Sequence, residues 1–423
     1  MAQTSETRRH GLRLLPYMGV IAVVADAEKL GFWNGHPDWI NLGQGQPEVG
    51  EMEGAPERWT DFTIKPEDHA YGPIHGTQEL REKIAAHYNR LFRQGKASQY
   101  TAENVAVASG GRLALSRAVF ALGKGKIAYQ VPDYSAYEDM LEAHMHRCEP
   151  IPLMTKVEEG FSLSAKALDE AAVKFDLDAF LISNPCNPTG AVVSGEHLKA
   201  WTDVARRRDL TILHDEFYSH FIYGDDGGPG AEAVSVASFV EDVNADPILL
   251  FDGLTKCFRY PGWRLGWVLG PKEMIECFVT AGSSLDGGPS RVVQRAALGV
   301  LEADRADRET QAVRVNFAKK RNLMVDRLRK MGVTFANESR GTFYVFGCLD
   351  QLPEPFNDAE TFYRRALEEK VMTVPGPFFD INPGKIRGDD RAGPFKSWMR
   401  FSFGPPYADV ERGLDRLEKM LKN

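Results

Sequence analysis

Lys256 and Arg264 are the two residues whose types and spacing first suggest chemistry. Lys256 follows an apolar run, 247–251, that is typical of a buried strand, and Arg264 comes eight residues later (264 − 256 = 8). Apolar surroundings penalise a charged lysine, so its neutral amine can form a Schiff base. Arginine offers a rigid fork of donors suited to phosphate. The simplest ligand that needs both is pyridoxal phosphate, although two surface charges beside a strand fit the pair as well.

Polar side chains follow two further apolar runs. Asn184 and Asn187 belong to the loop 183–190, SNPCNPTG, in which two Asn-Pro pairs hold amide side chains in fixed directions. Asp215 follows the next run. A buried aspartate beside a heterocyclic nitrogen keeps that nitrogen protonated, because the ion pair favours both charged forms. A protonated pyridine ring is the electron sink that pyridoxal phosphate chemistry needs.

Three other segments bring glycine or arginine to places where a ligand can approach. Ser109-Gly110-Gly111 lies between a predicted strand and a helix, which is typical of an anion site or of a turn without a ligand. Residues 41–48 form a glycine- and proline-rich loop that either approaches a ligand or is a simple connector. Arg400 lies in the apolar strand 398–403, as a clamp on a substrate carboxylate or as an edge-strand charge.

Short apolar strands alternate with amphipathic helices from about residue 104 onward. This pattern predicts βαβ units and a parallel sheet with ligand groups at the carboxyl ends of its strands. A mostly helical lead-in precedes it, and a long helix over 304–331 begins a smaller α+β part. The glycine-rich segment 384–396 is predicted to be a mobile loop. The larger part is predicted to have strands at 105–108, 127–131, 179–183, 210–214, 247–251 and 265–269, and helices at 77–92, 112–122 and 196–208.

Length and charge restrict the classes of protein to consider. The 423 residues suffice for a large core and about two domains, and a net charge of −8 with a pI near 5.8 argues against nucleic acid or an anionic membrane as partner. No apolar run approaches the roughly 20 residues that span a bilayer, and no signal peptide is recognisable. The five cysteines form no C-x-x-C pair, which favours a cytoplasmic protein without disulfides or a metal site.

Four motifs in a fixed order carry a resemblance to a known family. NPCNPTG, DEFY, TK with GWRLGW, and MRFSF together resemble the fold-type I, pyridoxal-phosphate-dependent aminotransferases of the aspartate aminotransferase superfamily, class I/II, from about Asn41 to the C-terminus. The resemblance implies an α/β fold of the PLP-dependent transferase type. Its large domain has a mainly parallel seven-stranded sheet sandwiched by helices, and a smaller α+β domain follows. The expected limits are 1–50 for a segment joining the small domain, 51–305 for the large domain and 306–423 for the small one.

The resemblance also implies roles for individual residues. Lys256 is expected to form the internal aldimine and Asp215 to pair with the pyridine nitrogen, with Tyr218 as the third catalytic residue. Arg400 is expected to hold the substrate α-carboxylate. The expected substrate-binding residues are Gly43, Asn187 and Arg400, with a contribution from the Asn184 region. The expected cofactor-binding residues are Tyr71, Ser109, Gly110, Gly111, Tyr134, Asn187, Asp215, Tyr218, Thr255, Lys256 and Arg264.

The resemblance further implies which part of the cofactor each of these residues contacts. Asn187 and Tyr218 hydrogen bond the 3′ oxygen of the ring, and Tyr134 stacks on its face. The phosphate is held by Ser109, Gly110, Gly111 and Arg264. Tyr71 reaches the phosphate of the neighbouring subunit, which implies an obligate homodimer with shared active sites.

The chain departs from the family pattern just before the lysine. Family members usually carry a phosphate-binding serine three positions earlier, where this sequence has Gly253. Thr255 is expected to supply the missing hydroxyl, and Asp252 is unfavourable near a phosphate unless it points away. Arg112 adds a phosphate or substrate contact, or caps a helix.

The leading functional hypothesis is a transaminase that acts on an L-amino acid and a 2-oxo acid. The alternatives are a lyase or an amino-acid oxidase or hydroxylase of the same fold, which need no 2-oxo acid acceptor, and a non-catalytic regulator, which the negative charge and short N-terminal segment disfavour. The substrate is not readable from the sequence. A second cation for dicarboxylic substrates is expected from Arg291 or Arg259, and an apolar pocket from Tyr17, Phe32, Trp33, Phe378 and Phe379.

Overall fold

The computed structural model describes residues 8–9, 12–13, 17, 19–230, 232–388 and 393–422. The helices of these residues are α1 Gly19–Lys29, α2 Gln78–Phe92, α3 Gly111–Ala121, α4 Ala136–Glu142, α5 Ala165–Phe175, α6 Gly195–Arg208, α7 Lys272–Leu285, α8 Arg291–Val300, α9 Ala303–Met331, α10 Ala359–Glu368 and α11 Tyr407–Met420. The strands are β1 Arg8–Arg9, β2 Leu12–Arg13, β3 Ile40–Asn41, β4 Val105–Ala108, β5 Gly125–Val131, β6 Cys148–Met154, β7 Ala179–Ser183, β8 Thr211–Asp215, β9 Ile248–Gly253, β10 Gly266–Leu269, β11 Thr334–Phe335, β12 Tyr344–Cys348, β13 Val371–Met372, β14 Val374–Pro375 and β15 Trp398–Ser402.

A seven-stranded sheet with the order β4-β10-β9-β8-β7-β5-β6 forms the centre of the molecule. Its central strands are continuous apolar runs, as expected where both faces are covered; every residue of β4, β7, β8 and β10, apart from Thr211, is buried. The helix α3 packs against α7 and against β4, β9 and β10, and α5 packs against α6. The prediction of a mainly parallel seven-stranded α/β sheet is therefore confirmed.

One strand of this sheet runs against the others. β10 pairs antiparallel with both β4 and β9. The connection from β9 to β10 contains only a short turn of 3₁₀ helix at Pro261–Trp263 and no α-helix that would carry the chain across the sheet. The chain therefore returns directly alongside β9, and the amino end of β10 meets the carboxyl ends of its neighbours.

A second, smaller sheet is built from the C-terminal part of the chain. Its order is β11-β12-β15-β14, and all of its pairs are antiparallel. A separate parallel pair joins β13 to β3, so that Ile40 and Asn41 lie beside Val371 and Met372. The helix α11 packs against α9 and β3. This pairing brings the N-terminal loop 41–48 to the small sheet, while the proposed domain limits at residues 50 and 305 remain a prediction.

Most of the predicted elements lie within one or two residues of those found, but the sequence did not indicate β6. Pro150 and Pro152 interrupt its apolar pattern, and proline is tolerated here because β6 is an edge strand paired only with β5. The predicted mobile loop 384–396 lies partly outside the described residues, and a 3₁₀ turn occupies Pro383–Lys385.

Candidate active site

The polar residues picked from the sequence meet at one edge of the large sheet. Ser183 and Asp215 are paired at the carboxyl ends of β7 and β8, and Asp215 lies opposite Phe251 of β9. Lys256 follows the end of β9, and Arg264 precedes β10. Because β10 is antiparallel, its amino end brings Arg264 to the same edge. The sheet topology thus collects groups that lie far apart in the chain.

Lys256 is a buried amine whose pKa lies well below that of an ordinary lysine. Burial, with the positive charges of Arg400 and Arg264 nearby, lowers the pKa of Lys256 to about 7. Its Nζ atom donates to the carbonyl oxygen of Gly45, and it lies 5.9 Å from the centre of the Tyr218 ring. An amine with this pKa is about half unprotonated at neutral pH, and the unprotonated form can act as a nucleophile or as a base.

Asp215 is buried at the end of β8. Burial raises the pKa of its carboxyl group to about 6, and two hydrogen bonds oppose that rise. The Tyr137 hydroxyl donates to Asp215 Oδ2 at 2.8 Å, and the Phe217 amide donates to Oδ1 at 3.3 Å. Tyr137 lies in α4, and sequence reasoning did not identify it. The only feature of the sequence that points to Tyr137 is its position three residues after Tyr134.

Asp133 is a second buried carboxyl group of this region that the sequence did not mark. Its Oδ1 accepts from the Tyr134 amide at 2.6 Å and its Oδ2 from the Ser183 amide at 3.2 Å. Burial raises the pKa of Asp133 to about 8. These bonds tie the end of β5 to the end of β7 and fix the backbone that carries Tyr134.

One end of this cluster is built around the N-terminus of α3. The first turn of α3 contains no acidic residue, so its free amide groups favour an anion. Gly110 adopts a φ of 95°, and a Cβ atom there would lie 2.5 Å from Nη2 of Arg264. Gly111 is equally constrained, because a Cβ atom would overlap the Phe217 ring. Ser109 is half-buried beside them.

Thr255 and Arg264 both fit a bound phosphate. The Thr255 hydroxyl is buried and has no hydrogen-bond partner among the described residues. Arg264 is exposed and donates only to the carbonyl oxygen of Pro261, at 3.0 Å, and no described carboxylate forms an ion pair with it. A buried hydroxyl and an arginine without an acid partner are the groups that a phosphate would satisfy.

Close backbone contacts surround Gly253, the position at which family members usually carry a serine. A Cβ atom at Gly253 would lie 2.5 Å from the carbonyl oxygen of Leu265 and 2.7 Å from Cα of Gly266. Asp252 points to the other side of β9, where it accepts from the Tyr88 hydroxyl at 3.1 Å and the Ser219 hydroxyl at 3.4 Å. The close pairing of β9 with β10 therefore excludes a side chain at this position and leaves Asp252 turned away.

Arg400 is a buried cation in β15. Its Nη1 atom donates to Asn187 Oδ1 at 2.8 Å and its Nη2 atom to the Gly43 carbonyl oxygen at 2.6 Å. Its Nε atom has no partner, and no carboxylate in the described part of the chain forms an ion pair with it. Burial lowers the pKa of Arg400. A carboxylate ligand would neutralise this charge. The Asn184 side chain faces elsewhere, because it bonds the backbone of Val193.

Tyr218 meets a tyrosine that the sequence did not indicate. The hydroxyl groups of Tyr218 and Tyr344 lie 2.8 Å apart, and both side chains are buried. The Tyr134 hydroxyl accepts from Nη2 of Arg112 at 3.2 Å, and its ring packs edge-on against Tyr137. Tyr218 and Tyr134 thus lie in the same site as Asp215 and Lys256, while Tyr344 reaches it from the small sheet.

Several residues named from the sequence lie away from this cluster. Tyr71 is fully exposed. Arg259 is buried and bonds Glu309, so that it is not free for a substrate. Arg291 lies 3.9 Å from the carboxylate of Asp68. Among the aromatic candidates, Phe379 is the exception and reaches the cluster, where it packs against Arg400. Phe32 packs against Trp39, Phe378 is half-buried, and Tyr17 and Trp33 are exposed.

Among the described residues, no group of three or more His, Cys, Asp or Glu side chains could hold a metal ion. No helix of the described part of the chain is long and apolar enough to cross a membrane.

Comparison with known proteins identifies the family of the chain. The family model described as aminotransferase class I and II matches residues 37–417. The aspartate aminotransferase of Pyrococcus abyssi is 28% identical over 390 residues, covering 92% of this chain and 93% of the relative. Aromatic-amino-acid aminotransferase 2 of Thermococcus litoralis is 28% identical over 384 residues, covering 90% and 92%. The structure of Thermus thermophilus aspartate aminotransferase with maleate superposes with a TM-score of 0.77 at 24% identity, covering 96% and 97%. The chain belongs to the aminotransferase class I and II family, and it is an aminotransferase.

Proposed function

We propose that the protein is a pyridoxal-phosphate-dependent aminotransferase that moves an amino group between an L-amino acid and a 2-oxo acid. The observation that carries this proposal is the buried amine of Lys256 at the end of the sheet, whose pKa burial and two arginines lower to about 7. The buried carboxyl group of Asp215 raises the pKa of Lys256, and the buried guanidinium of Arg400 lowers it. These are the three groups needed to attach a carbonyl cofactor, hold its ring nitrogen and bind an amino acid.

The cofactor fits the groups that lack partners. Bound here, pyridoxal phosphate supplies a carbonyl group for amines and a ring that withdraws electrons from the carbon next to the amine. Asp215 keeps the proton on the ring nitrogen, since an ion pair stabilises both partners. Lys256 anchors the cofactor and afterwards moves a proton at the substrate α-carbon. Tyr218 and Asn187 serve the 3′ oxygen, and Tyr134 covers the ring.

The phosphate is assigned to the N-terminus of α3 and its surroundings. Ser109, Gly110 and Gly111 offer a hydroxyl and amide groups, and Arg264 offers a guanidinium that no described acid neutralises. The unpartnered Thr255 hydroxyl takes the place of the serine that Gly253 cannot carry. This assignment replaces one hydroxyl contact by another and leaves ordinary transamination as the proposed reaction.

Arg400, with the backbone of Gly43, is assigned to the substrate α-carboxylate. The relatives' names indicate aspartate and aromatic amino acids as substrates of those proteins. Arg112 supports an acidic side chain here, because it is exposed beside Tyr134 and no described carboxylate forms an ion pair with it. We therefore expect Arg112→Ala to raise KM for aspartate and glutamate more than for phenylalanine. Arg291→Ala is the matched control, and a change confined to that control would transfer the role to Arg291.

The dimer is proposed from Tyr71, whose side chain is fully exposed. A homodimer with shared sites would let Tyr71 reach the phosphate of its neighbour. Mixing inactive Lys256→Ala and Tyr71→Ala proteins should then restore about a quarter of the wild-type sites, since half of the dimers are mixed and each has one intact site. Additive residual activity would contradict shared sites.

The cysteine pattern supports the cytoplasm as the compartment.

The deciding experiment is an absorbance spectrum of purified protein with added pyridoxal phosphate. A visible band is expected in the wild type and in Lys166→Ala, whose lysine is 85% exposed, and not in Lys256→Ala. An amino acid should bleach the band and a 2-oxo acid should restore it. Product formation without an oxo acid would reject transamination in favour of a lyase or an oxidase.

A further inference from the structure

The hydroxyl and the ring of Tyr344 face two different parts of the candidate site. Tyr344 begins β12 of the small sheet, opposite Ser402 of β15, and is fully buried. Its hydroxyl lies 2.8 Å from the hydroxyl of Tyr218. The guanidinium carbon of Arg400 lies 4.1 Å above the centre of its ring. One side chain from the small sheet therefore contacts both a residue assigned to the cofactor and the residue assigned to the substrate carboxylate.

The ring contact compensates a buried charge. Arg400 is buried and forms no ion pair with a described acid, and its hydrogen bonds to Asn187 and Gly43 leave Nε unpaired. A desolvated guanidinium over an aromatic face is stabilised by the negative charge of that face. The Tyr344 ring is the nearer of two such faces, the other being Phe379 at 4.9 Å. The Tyr344 ring therefore packs directly against the guanidinium that is assigned to the substrate carboxylate.

The hydroxyl contact acts on the other end of the site. Neither Tyr218 nor Tyr344 has another described hydrogen-bond partner for its hydroxyl group. If the Tyr344 hydroxyl donates, the proton of Tyr218 is free to point toward a ligand, and a hydroxyl that accepts a hydrogen bond becomes a better donor itself. The Tyr218 hydroxyl therefore depends on a residue of the small sheet.

We infer that Tyr344 is a positioning residue for a cofactor-binding group, Tyr218, and for a substrate-binding group, Arg400, a role that rests on the proposed function. Its hydroxyl group orients the Tyr218 hydroxyl toward the 3′ oxygen of the cofactor, and its ring orients Arg400 toward the substrate carboxylate. The two tasks belong to different atoms of one side chain, so two substitutions separate them. Tyr344→Phe removes only the hydroxyl, and Tyr344→Leu also removes the aromatic face.

The test compares these variants in the presence of pyridoxal phosphate. For Tyr344→Phe, the pH midpoint of the visible band should move upward by on the order of 0.5, because Tyr218 stabilises negative charge on the 3′ oxygen less well. Its KM for the amino donor should stay within about threefold of the wild type. For Tyr344→Leu, the dissociation constant for maleate and the KM for the donor should rise about tenfold.

Two controls distinguish positioning from general loss of structure. Tyr223→Phe removes a buried hydroxyl that donates to the Thr342 carbonyl oxygen at 2.7 Å, and it should leave the band midpoint and KM unchanged. In a Tyr218→Phe background, Tyr344→Phe should no longer move the midpoint, because the bond it breaks is already absent.

Three outcomes would overturn the inference. An unmoved midpoint in Tyr344→Phe removes the role of the hydroxyl, and an unchanged maleate affinity in Tyr344→Leu removes the role of the ring. An equal shift in the Tyr223→Phe control would make the effect structural. By contrast, a wild-type protein that shows no band with pyridoxal phosphate would reject the proposed function itself.

Discussion

Gly253 gives the sharpest prediction, because replacing it by serine restores the family's usual phosphate ligand. A Cβ atom there would lie 2.5 Å from the Leu265 carbonyl oxygen, 2.7 Å from Gly266 Cα and 3.0 Å from the Phe217 ring. The first two contacts are with backbone next to and within β10, which is paired to β9 at this point and cannot rotate away. We therefore expect Gly253→Ser to damage the protein rather than improve it.

The expected magnitude follows from those contacts. Overpacking a filled site costs about 1–3 kcal/mol, and rigid backbone neighbours place Gly253→Ser in the upper half, about 2–3 kcal/mol. Gly253→Ala should cost about as much, since the clash arises at Cβ. The added hydroxyl should not tighten pyridoxal phosphate binding by more than about threefold, because the strand that carries it must shift.

Urea unfolding of the cofactor-free variants and equilibrium dialysis with pyridoxal phosphate measure the two effects. Gly123→Ser is the matched control, because that exposed glycine has no atom within 4 Å of a built Cβ. The steric account fails if Gly253→Ser unfolds at the same urea concentration as the wild type and binds the cofactor about tenfold more tightly.

Three further predictions concern single groups of the site and its surroundings. Tyr137→Phe removes the 2.8 Å bond to Asp215 and should weaken pyridoxal phosphate binding about fivefold in equilibrium dialysis; unchanged affinity would make that bond unimportant. Because the pKa of folded Lys256 is lowered to about 7, the unfolded chain keeps a proton on this amine between pH 7 and 9 that the folded chain has lost. The free energy of unfolding of the cofactor-free wild type should therefore rise by about 1–3 kcal/mol relative to that of Lys256→Met between pH 7 and 9. Parallel pH profiles of urea unfolding for the two proteins would refute this. Arg259→Ala removes one of two described arginines that bond the buried Glu309, and Arg58 keeps its bond at 3.1 Å, so the substitution should cost about 1–3 kcal/mol in urea unfolding without altering substrate preference. Altered preference at full stability would restore Arg259 as a substrate residue.

The sequence was informative wherever a local pattern determined the structure. Apolar runs of four to six residues located most of the strands, and a parallel sheet places all of their carboxyl ends together. Lys256, Asp215 and Asn187 could therefore be assigned to one site before their contacts were known. Their family motifs added roles that no run of residues carries by itself.

Other parts of the site depend on contacts between distant segments. Tyr344 lies 126 residues from Tyr218, and no pattern near either one links them. The exclusion of a side chain at Gly253 depends on its register opposite Gly266, which a glycine in the sequence does not reveal. The sequence also does not reveal that Arg259 forms an ion pair with Glu309 of α9, which leaves it unavailable to a substrate.

The pairing of β3 with β13 has a consequence during synthesis. The chain must grow by 331 residues (371 − 40 = 331) before Ile40 meets Val371, which takes roughly 20–60 s on the ribosome at typical elongation rates. A nascent chain of 305 residues already contains Lys256 and Asp215, but Arg400 is not yet made. The groups assigned to the cofactor are therefore complete while the substrate clamp is still missing, and the apolar stretch around Ile40 must be kept from aggregating until its partner strand emerges.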